Sequence, residues 1–236
     1  MELSADLTVD ALAEVMPGRP ARTYPALLST QAEALAWART GAPTGAVVVA
    51  EYQASPRGRA GLEWSAPAGE SLGFSLVLRP HLPAPREGWL YVAATCALAQ
   101  VLGGRIEWPD EVRDAGRRVG AVGIDVGLGA VATEWAVVNV LVVDARPPRT
   151  SLVARIVDRI EALCASPTTP VLAEYLRRCD TIGRHVRARM VPLGPGGVVV
   201  TGRAVRVLTD GALVLEQDDG RGIAVRPQNL GFLEDA

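Results

Sequence analysis

Pro56-Arg57-Gly58-Arg59-Ala60-Gly61-Leu62-Glu63-Trp64 is the stretch on which the reading of this chain turns. Gly58 and Gly61 let a backbone wrap closely around a ligand, and the guanidiniums of Arg57 and Arg59 suit bidentate pairing with carboxylate or phosphate oxygens. Pro56 stiffens the entry to the loop. Just upstream, Gly45-Ala46-Val47-Val48-Val49-Ala50 reads as a buried strand running through Glu51-Tyr52-Gln53 into the loop. Before that strand, Ser29 can cap a helix from Thr30 to about Arg39, closed by Gly41 and Pro43. Taken alone, the fragment also fits a solvated Arg/Gly surface loop; the ordered motifs on both sides argue against it.

Downstream, Gly73 to Arg79 predicts a second strand, ended by prolines 80, 83 and 85. Gly88 to Leu102 carries apolar residues at helical spacing. Arg105 to Trp108, Val119 to Val126 and Glu134 to Val143 predict three further strands. Thr150 to Cys164 predicts an amphipathic helix, and Pro170 to Arg178 a smaller one. From Gly183 the texture changes to short strands (His185 to Val191, Val198 to Val207, Ala212 to Glu216, Gly222 to Val225), with Asp210-Gly211 and Asp218-Asp219-Gly220 at the turns. The expected organisation is a lead-in over residues 1–24, an α/β (α+β) domain over 25–182, and a small SH3-like β-barrel over 183–236.

The 236 residues are 49% hydrophobic and 21% charged with a formal net charge of −2, which gives no general electrostatic reason to bind nucleic acid. Apolar runs such as Val137 to Val143 are too short to span a bilayer, and Met1 to Asp6 lacks the basic start of a secretory signal. Cys96, Cys164 and Cys179 are odd in number and lack metal-ligand spacing, which predicts reduced, mostly buried thiols in a cytoplasmic protein. With only His81 and His185 available, no histidine-based metal centre is expected. All 24 basic side chains are arginine; there is no lysine.

Ser29-Thr30-Gln31, Glu51-Tyr52-Gln53, the loop from Arg57 to Trp64, and Glu107-Trp108-Pro109-Asp110 together resemble the catalytic core of biotin protein ligases, in the wider biotin/lipoate ligase group. Leu172-Ala173-Glu174-Tyr175 followed by Thr181-Ile182-Gly183 resembles that family's join between its two domains. The resemblance covers most of the chain and implies a mixed sheet with packed helices, without a preceding helix-turn-helix. It implies a biotin-like ligand held by Ser29, Thr30, Gln31, Gln53, Arg57, Gly58 and Arg59. It further implies that ATP, with Mg, is met by Gly61, Trp64, Trp108 and Asp110, and that Arg59 and Arg118 steady the acyl phosphate. A biotin carboxyl-carrier domain would be the acceptor, and family members pair through sheet edges, which implies a homodimer.

The departures fall mostly in the nucleotide half. Leu62 replaces an arginine, Glu107 a lysine, Asp110 an asparagine and Arg118 a lysine. The family's Gly-x-Gly-x-Asn strand end is matched by Asn139-Val140-Leu141-Val142-Val143. Glu63, Glu107, Asp110 and Glu111 are thereby expected around the triphosphate position. Two like charges at about 4 Å repel by roughly 4 kcal/mol at an effective dielectric near 20, so these acids oppose a polyanion unless a metal at Asp110 and Glu111 escorts it. Three readings follow: a divergent ligase that adenylates biotin with ATP; a catalytically degenerate homologue that binds biotin, an acyl group or a carrier domain; and an altered acyl ligase or acyltransferase acting on another carboxylate.

Overall fold

The computed structural model describes residues 2–64, 67, 69–194 and 196–236. Two sheets and five α-helices make up the described chain. The first 24 residues contribute directly to this architecture. Helix α1 (Val9–Val15) is capped by Thr8, whose hydroxyl accepts from the Ala11 N–H, and strand β1 (Ala21–Tyr24) pairs in parallel with β2 (Val47–Ala50). Helix α2 (Thr30–Arg39) lies between them, with Ser29 as its cap.

Strand β3 (Ser71–Leu78) follows the loop, then helix α3 (Trp89–Leu102) and strands β4 (Arg105–Glu107), β5 (Glu111–Asp114), β6 (Arg117–Leu128) and β7 (Thr133–Val143). The sheet order is β1-β2-β3-β7-β6-β5-β4, antiparallel after the first pair. Strand β5 was not anticipated. Its sequence, Glu-Val-Arg-Asp, buries one valine, too little alternation to stand out, and a turn at Ala115-Gly116 sets it against β6.

Strand alternation sorts the large sheet into two faces. Phe74, Leu76, Val122, Val138 and Val140 face one way, into a core shared with α3 and with α4 (Thr150–Ala165). Helix α3 is apolar nearly all round because it is buried all round, whereas α4 presents only Val153, Ile156, Val157, Ile160 and Leu163 to the interior. The opposite face carries Val48, Val77 and Val137 under α2, and further along Ser75, Asn139, Leu141, Ala121, Gly123 and Asp125. That second half of the face is where the 53–64 loop lies.

After α5 (Thr168–Arg178) the chain enters a second sheet. It comprises β8 (His185–Met190), β9 (Val199–Val207), β10 (Leu213–Glu216), β11 (Gly222–Val225) and β12 (Leu230–Asp235), antiparallel in the order β11-β10-β9-β8-β12. The expected barrel is thus a five-stranded antiparallel sheet, and no ladder joins β11 to β12 among the described residues. Strand β12, absent from the sequence expectation, supplies the edge that meets the 53–64 loop.

The two sheets share one apolar core that includes Val186, Ala188, Ala204 and Leu213. Close backbone approach at Gly88 and Gly211 fixes the joint: a Cβ on Gly211, where φ is +84°, would fall 2.3 Å from the Gly88 carbonyl oxygen. The Trp108 indole N–H donates to the Gly211 carbonyl at 3.0 Å, and the Trp108 backbone N–H to Thr181 Oγ1 at 2.8 Å. No described helix is long and apolar enough to cross a membrane.

Candidate functional site

Residues 29–31 and 53–64 converge on the open face of the large sheet. At its inner end the side chains form one hydrogen-bonded group. The Thr30 N–H and hydroxyl both donate to Gln53 Oε1, at 2.7 and 3.0 Å. The Ser75 hydroxyl stands 2.9 Å from Thr30 Oγ1 and donates to Asn139 Oδ1 at 2.8 Å. Asp125 Oδ2 accepts from Gln31 Nε2 at 2.7 Å and from Asn139 Nδ2 at 3.0 Å. The helix cap is local: Ser29 Oγ accepts from the Gln31 N–H at 3.1 Å. Ser29, Thr30, Gln31 and Gln53 are therefore brought together as the sequence suggests, and Ser75, Asp125 and Asn139 join them unforeseen. Strand period was the available signal, since Ser75 on β3 registers against Asn139 on β7, which registers against Gly123 on β6, two residues before Asp125.

The loop lies directly on the sheet beside this group. A Cβ on Gly123 would meet the Gly58 backbone at 3.0 Å, and one on Gly58 would meet the Trp64 indole nitrogen at 2.2 Å. The two glycines therefore let Trp64 stack on the loop and pack against Ala121 and Leu141. Arg57 is exposed and curls back to donate to the Gly61 carbonyl at 3.2 Å. Gly61 sits at the turn with φ +70°, next to Ala60, which is also left-handed at φ +53°.

Beyond Trp64 the face opens into a cleft of about 380 Å³ between the two sheets. Its walls include Arg59, Trp64, Glu63, Asp110, Arg118 and Phe232. Glu107, Glu111 and Arg113 also line it, so the four acids expected around the triphosphate do surround one space. Their charges are largely spoken for. Arg59, only 8% exposed, donates Nε to Asp110 Oδ2 at 2.9 Å and Nη1 to the carbonyls of Leu230 and, at 3.1 Å, Gly231. Arg113 pairs with Glu107 and, at 2.8 Å, with Glu111, which also takes Arg118 at 3.1 Å. Arg184 reaches Glu107 at 3.2 Å. Arg113 and Arg184 were missed because neither lies in a recognisable motif.

Burial, the largest influence on Asp110, pushes its carboxyl up to about 6 against the pull of Arg59, and repulsion from Glu111 adds to the rise. Trp108 is 1% exposed with its N–H committed to Gly211, so its indole serves mainly to dock the second sheet. The donor set does not suit Mg²⁺. Asp110 and Glu111 are each taken by guanidiniums, and no group of three or more potential ligands occurs among the described residues. Glu51 of the Glu-Tyr-Gln motif points away from the cleft. With Asp6 it encloses Arg149, which donates to Glu51 at 3.0 and 2.9 Å and to Asp6 at 3.0 and 3.1 Å. The thiols stand apart: burial raises Cys96 to about 11 and Cys164 to about 12, so neither is a ready nucleophile.

No family model matches the chain. The biotin–[acetyl-CoA-carboxylase] ligase of Mycobacterium tuberculosis is 29% identical over 227 residues, spanning 84% of this chain and 83% of that protein. The chain is a homologue of the biotin protein ligases. The bifunctional ligase/repressor BirA of Bacillus spizizenii is 32% identical over a shorter stretch, 38% of this chain and 30% of BirA. Among solved structures, the biotin protein ligase of Aquifex aeolicus in complex with biotin and ATP superposes with a TM-score of 0.68 at 18% identity, over 92% of this chain and 99% of that one. The homologue thus keeps the ligase fold across both sheets.

Proposed function

We propose that this ligase homologue binds biotin or a similarly shaped carboxylic acid on the sheet face beside the 53–64 loop, and holds it without activating it. The observation that carries this reading is the capture of Arg59. The guanidinium that would steady an acyl phosphate is buried, paired with Asp110 and bonded to two carbonyls of β12. A triphosphate entering the cleft would have to break that pair and the Arg113 and Arg118 pairs as well. It would then face Glu63, Glu107, Asp110 and Glu111 at low effective dielectric. The acid-binding side asks for no such rearrangement of charge. Thr30, Gln31 and Gln53 stand together there as hydrogen-bonding groups, and Gly58 brings backbone close to the sheet.

A second reading is favoured by the similarity to the M. tuberculosis ligase along most of both chains. In it, Arg59 and Arg118 exchange their carboxylate partners for acyl and phosphoryl oxygens when ATP and biotin bind, and the biotinyl group passes to a carboxyl-carrier domain. Calorimetry with biotin, in the presence and absence of Mg-ATP, separates the two. Biotin affinity indifferent to ATP and no pyrophosphate release support the binding reading. Affinity that rises with ATP, together with pyrophosphate release and labelling of a carrier lysine, establishes the ligase. The chain has no lysine of its own, so any lysine-linked product lies on the partner.

A further inference from the structure

Glu51 and Gln53 are two residues apart, yet their side chains lie on opposite faces of the large sheet. Along β2, Val47 and Val49 face the core shared with α3 and α4, and Val48 faces α2. Continued alternation would turn both Glu51 and Gln53 to the core side. Glu51 stays there, bonded to Arg149 at the start of α4. Gln53 instead accepts from Thr30 at the start of α2, and a Cβ on Gly73 of β3 would fall 2.2 Å from its Nε2, so it lies on the open face. The chain therefore crosses from one face to the other at Tyr52, just beyond the last ladder pair of β2 with β3, Ala50 with Gly73. On the open side Leu27 holds this crossing: its N–H donates to the Tyr52 carbonyl at 3.0 Å, and its carbonyl accepts from the Ala54 N–H at 2.9 Å. On the core side the hold is Arg149.

Arg149 is 1% exposed and meets Glu51 through both Nη1 and Nη2. It meets Asp6 through Nε and Nη2, and its backbone N–H at the head of α4 donates to Asp6 at 2.7 Å, where the helix dipole offsets the second negative charge. Without the guanidinium, two carboxylates would share one buried space, and Glu51 would be driven toward water with the crossing behind it. We propose that Arg149 is a positioning residue for the acid-binding face: from the far side of the sheet, it sets the place of Gln53 through Glu51. The inference rests on the reading of the open face as an acid-binding site. Gln53 Oε1 takes two bonds from Thr30, at 2.7 and 3.0 Å, so a backbone shift of about 1 Å breaks at least one of them.

A double-mutant cycle on the full chain tests this. Biotin and lipoate are titrated by calorimetry, and the tighter of the two is carried through Arg149→Met, Gln53→Ala and the double variant. Each single change is expected to weaken binding about tenfold, and the double variant to bind no more weakly than Gln53→Ala alone. Val157→Ala, which opens a cavity in the buried face of the same helix, is expected to lower stability and leave the affinity unchanged. A double variant weakened about a hundredfold shows that Arg149 acts independently of Gln53 and overturns the proposal. Unaltered affinity in either single variant, or an equal loss in Val157→Ala, overturns it as well and leaves the acid site standing. If Arg149→Met does not fold by circular dichroism, Glu51→Gln, which keeps the shape and drops the charge, takes its place in the cycle with the same outcomes. Failure of both acids to bind the unaltered protein removes the site itself, and the proposal with it.

Discussion

Arg59 and Asp110 are both nearly inaccessible, so neither partner can be removed cheaply. Arg59→Ala leaves a buried carboxylate facing Glu111 and frees the carbonyls of Leu230 and Gly231. A loss of about 3–5 kcal/mol is expected by chemical denaturation, against a smaller loss for Asp110→Asn, which keeps shape and hydrogen bonding. The same aspartate sets a pH signature. Its native carboxyl titrates near 6 rather than at the ordinary 3.8, so between those values the folded state holds the proton more often than the unfolded one. Its contribution to stability therefore falls as pH rises through that window, by roughly 3 kcal/mol, and Asp110→Asn should flatten this part of the stability–pH curve. Gly58 offers a steric test. Its φ of −103° tolerates alanine, but the added Cβ would collide with Trp64 at 2.2 Å. Gly58→Ala should displace the indole, shift tryptophan emission to the red and cost about 1–3 kcal/mol.

At the level of elements, the joint between the sheets and the start of α4 are the fixed points. Gly211→Ala combines a left-handed φ with a 2.3 Å contact to the Gly88 carbonyl, so it should loosen the second sheet while sparing the first. Hydrogen exchange should then accelerate in β8 to β12 and remain slow in β3, β6 and β7. The Arg149 cluster ties α4 to the N-terminal segment and the end of β2. Hydrogen bonding from Arg149 lowers Asp6. Burial alone would raise Glu51, but bonds from Arg149 and the Ser4 N–H carry it below its ordinary value. That stabilisation is present above pH 4 to 5 and is lost as pH falls through the lowered native values, so acid unfolding should begin there; Arg149→Met should remove this acid-side slope. Elements with strong periodicity or caps were legible in the sequence: α2 with Ser29 as its cap, α3, α4, and the strands β3, β6 and β7. Those missed (α1, β1, β5 and β12) are short or exist through partners distant in sequence. Strand β1, Ala-Arg-Thr-Tyr, shows no buried face of its own and forms because Val47–Ala50 offers it a parallel ladder.

Across the whole molecule, the candidate site was legible as a set of motifs and only partly as a set of roles. Ser29, Thr30, Gln31 and Gln53 assemble as the family resemblance implies, and the acids at 63, 107, 110 and 111 do ring one cleft. What the linear reading could not supply was the partner of each charge. Whether Glu107 repels a polyanion or neutralises Arg113 and Arg184 depends on a β5 that local sequence barely signals and on a turn in the second sheet's approach. Trp108, which its motif places with the nucleotide, lines the cleft and also joins the two sheets, because its N–H finds Gly211, 103 positions away. The same distance argument bears on Arg59. Its carbonyl acceptors at Leu230 and Gly231 lie 171 and 172 positions downstream. During synthesis from the N-terminus, the large sheet and its helices emerge long before those acceptors exist. The cleft is therefore completed only once β12 has emerged, and a growing chain arrested anywhere before β12 carries the loop without its clasp.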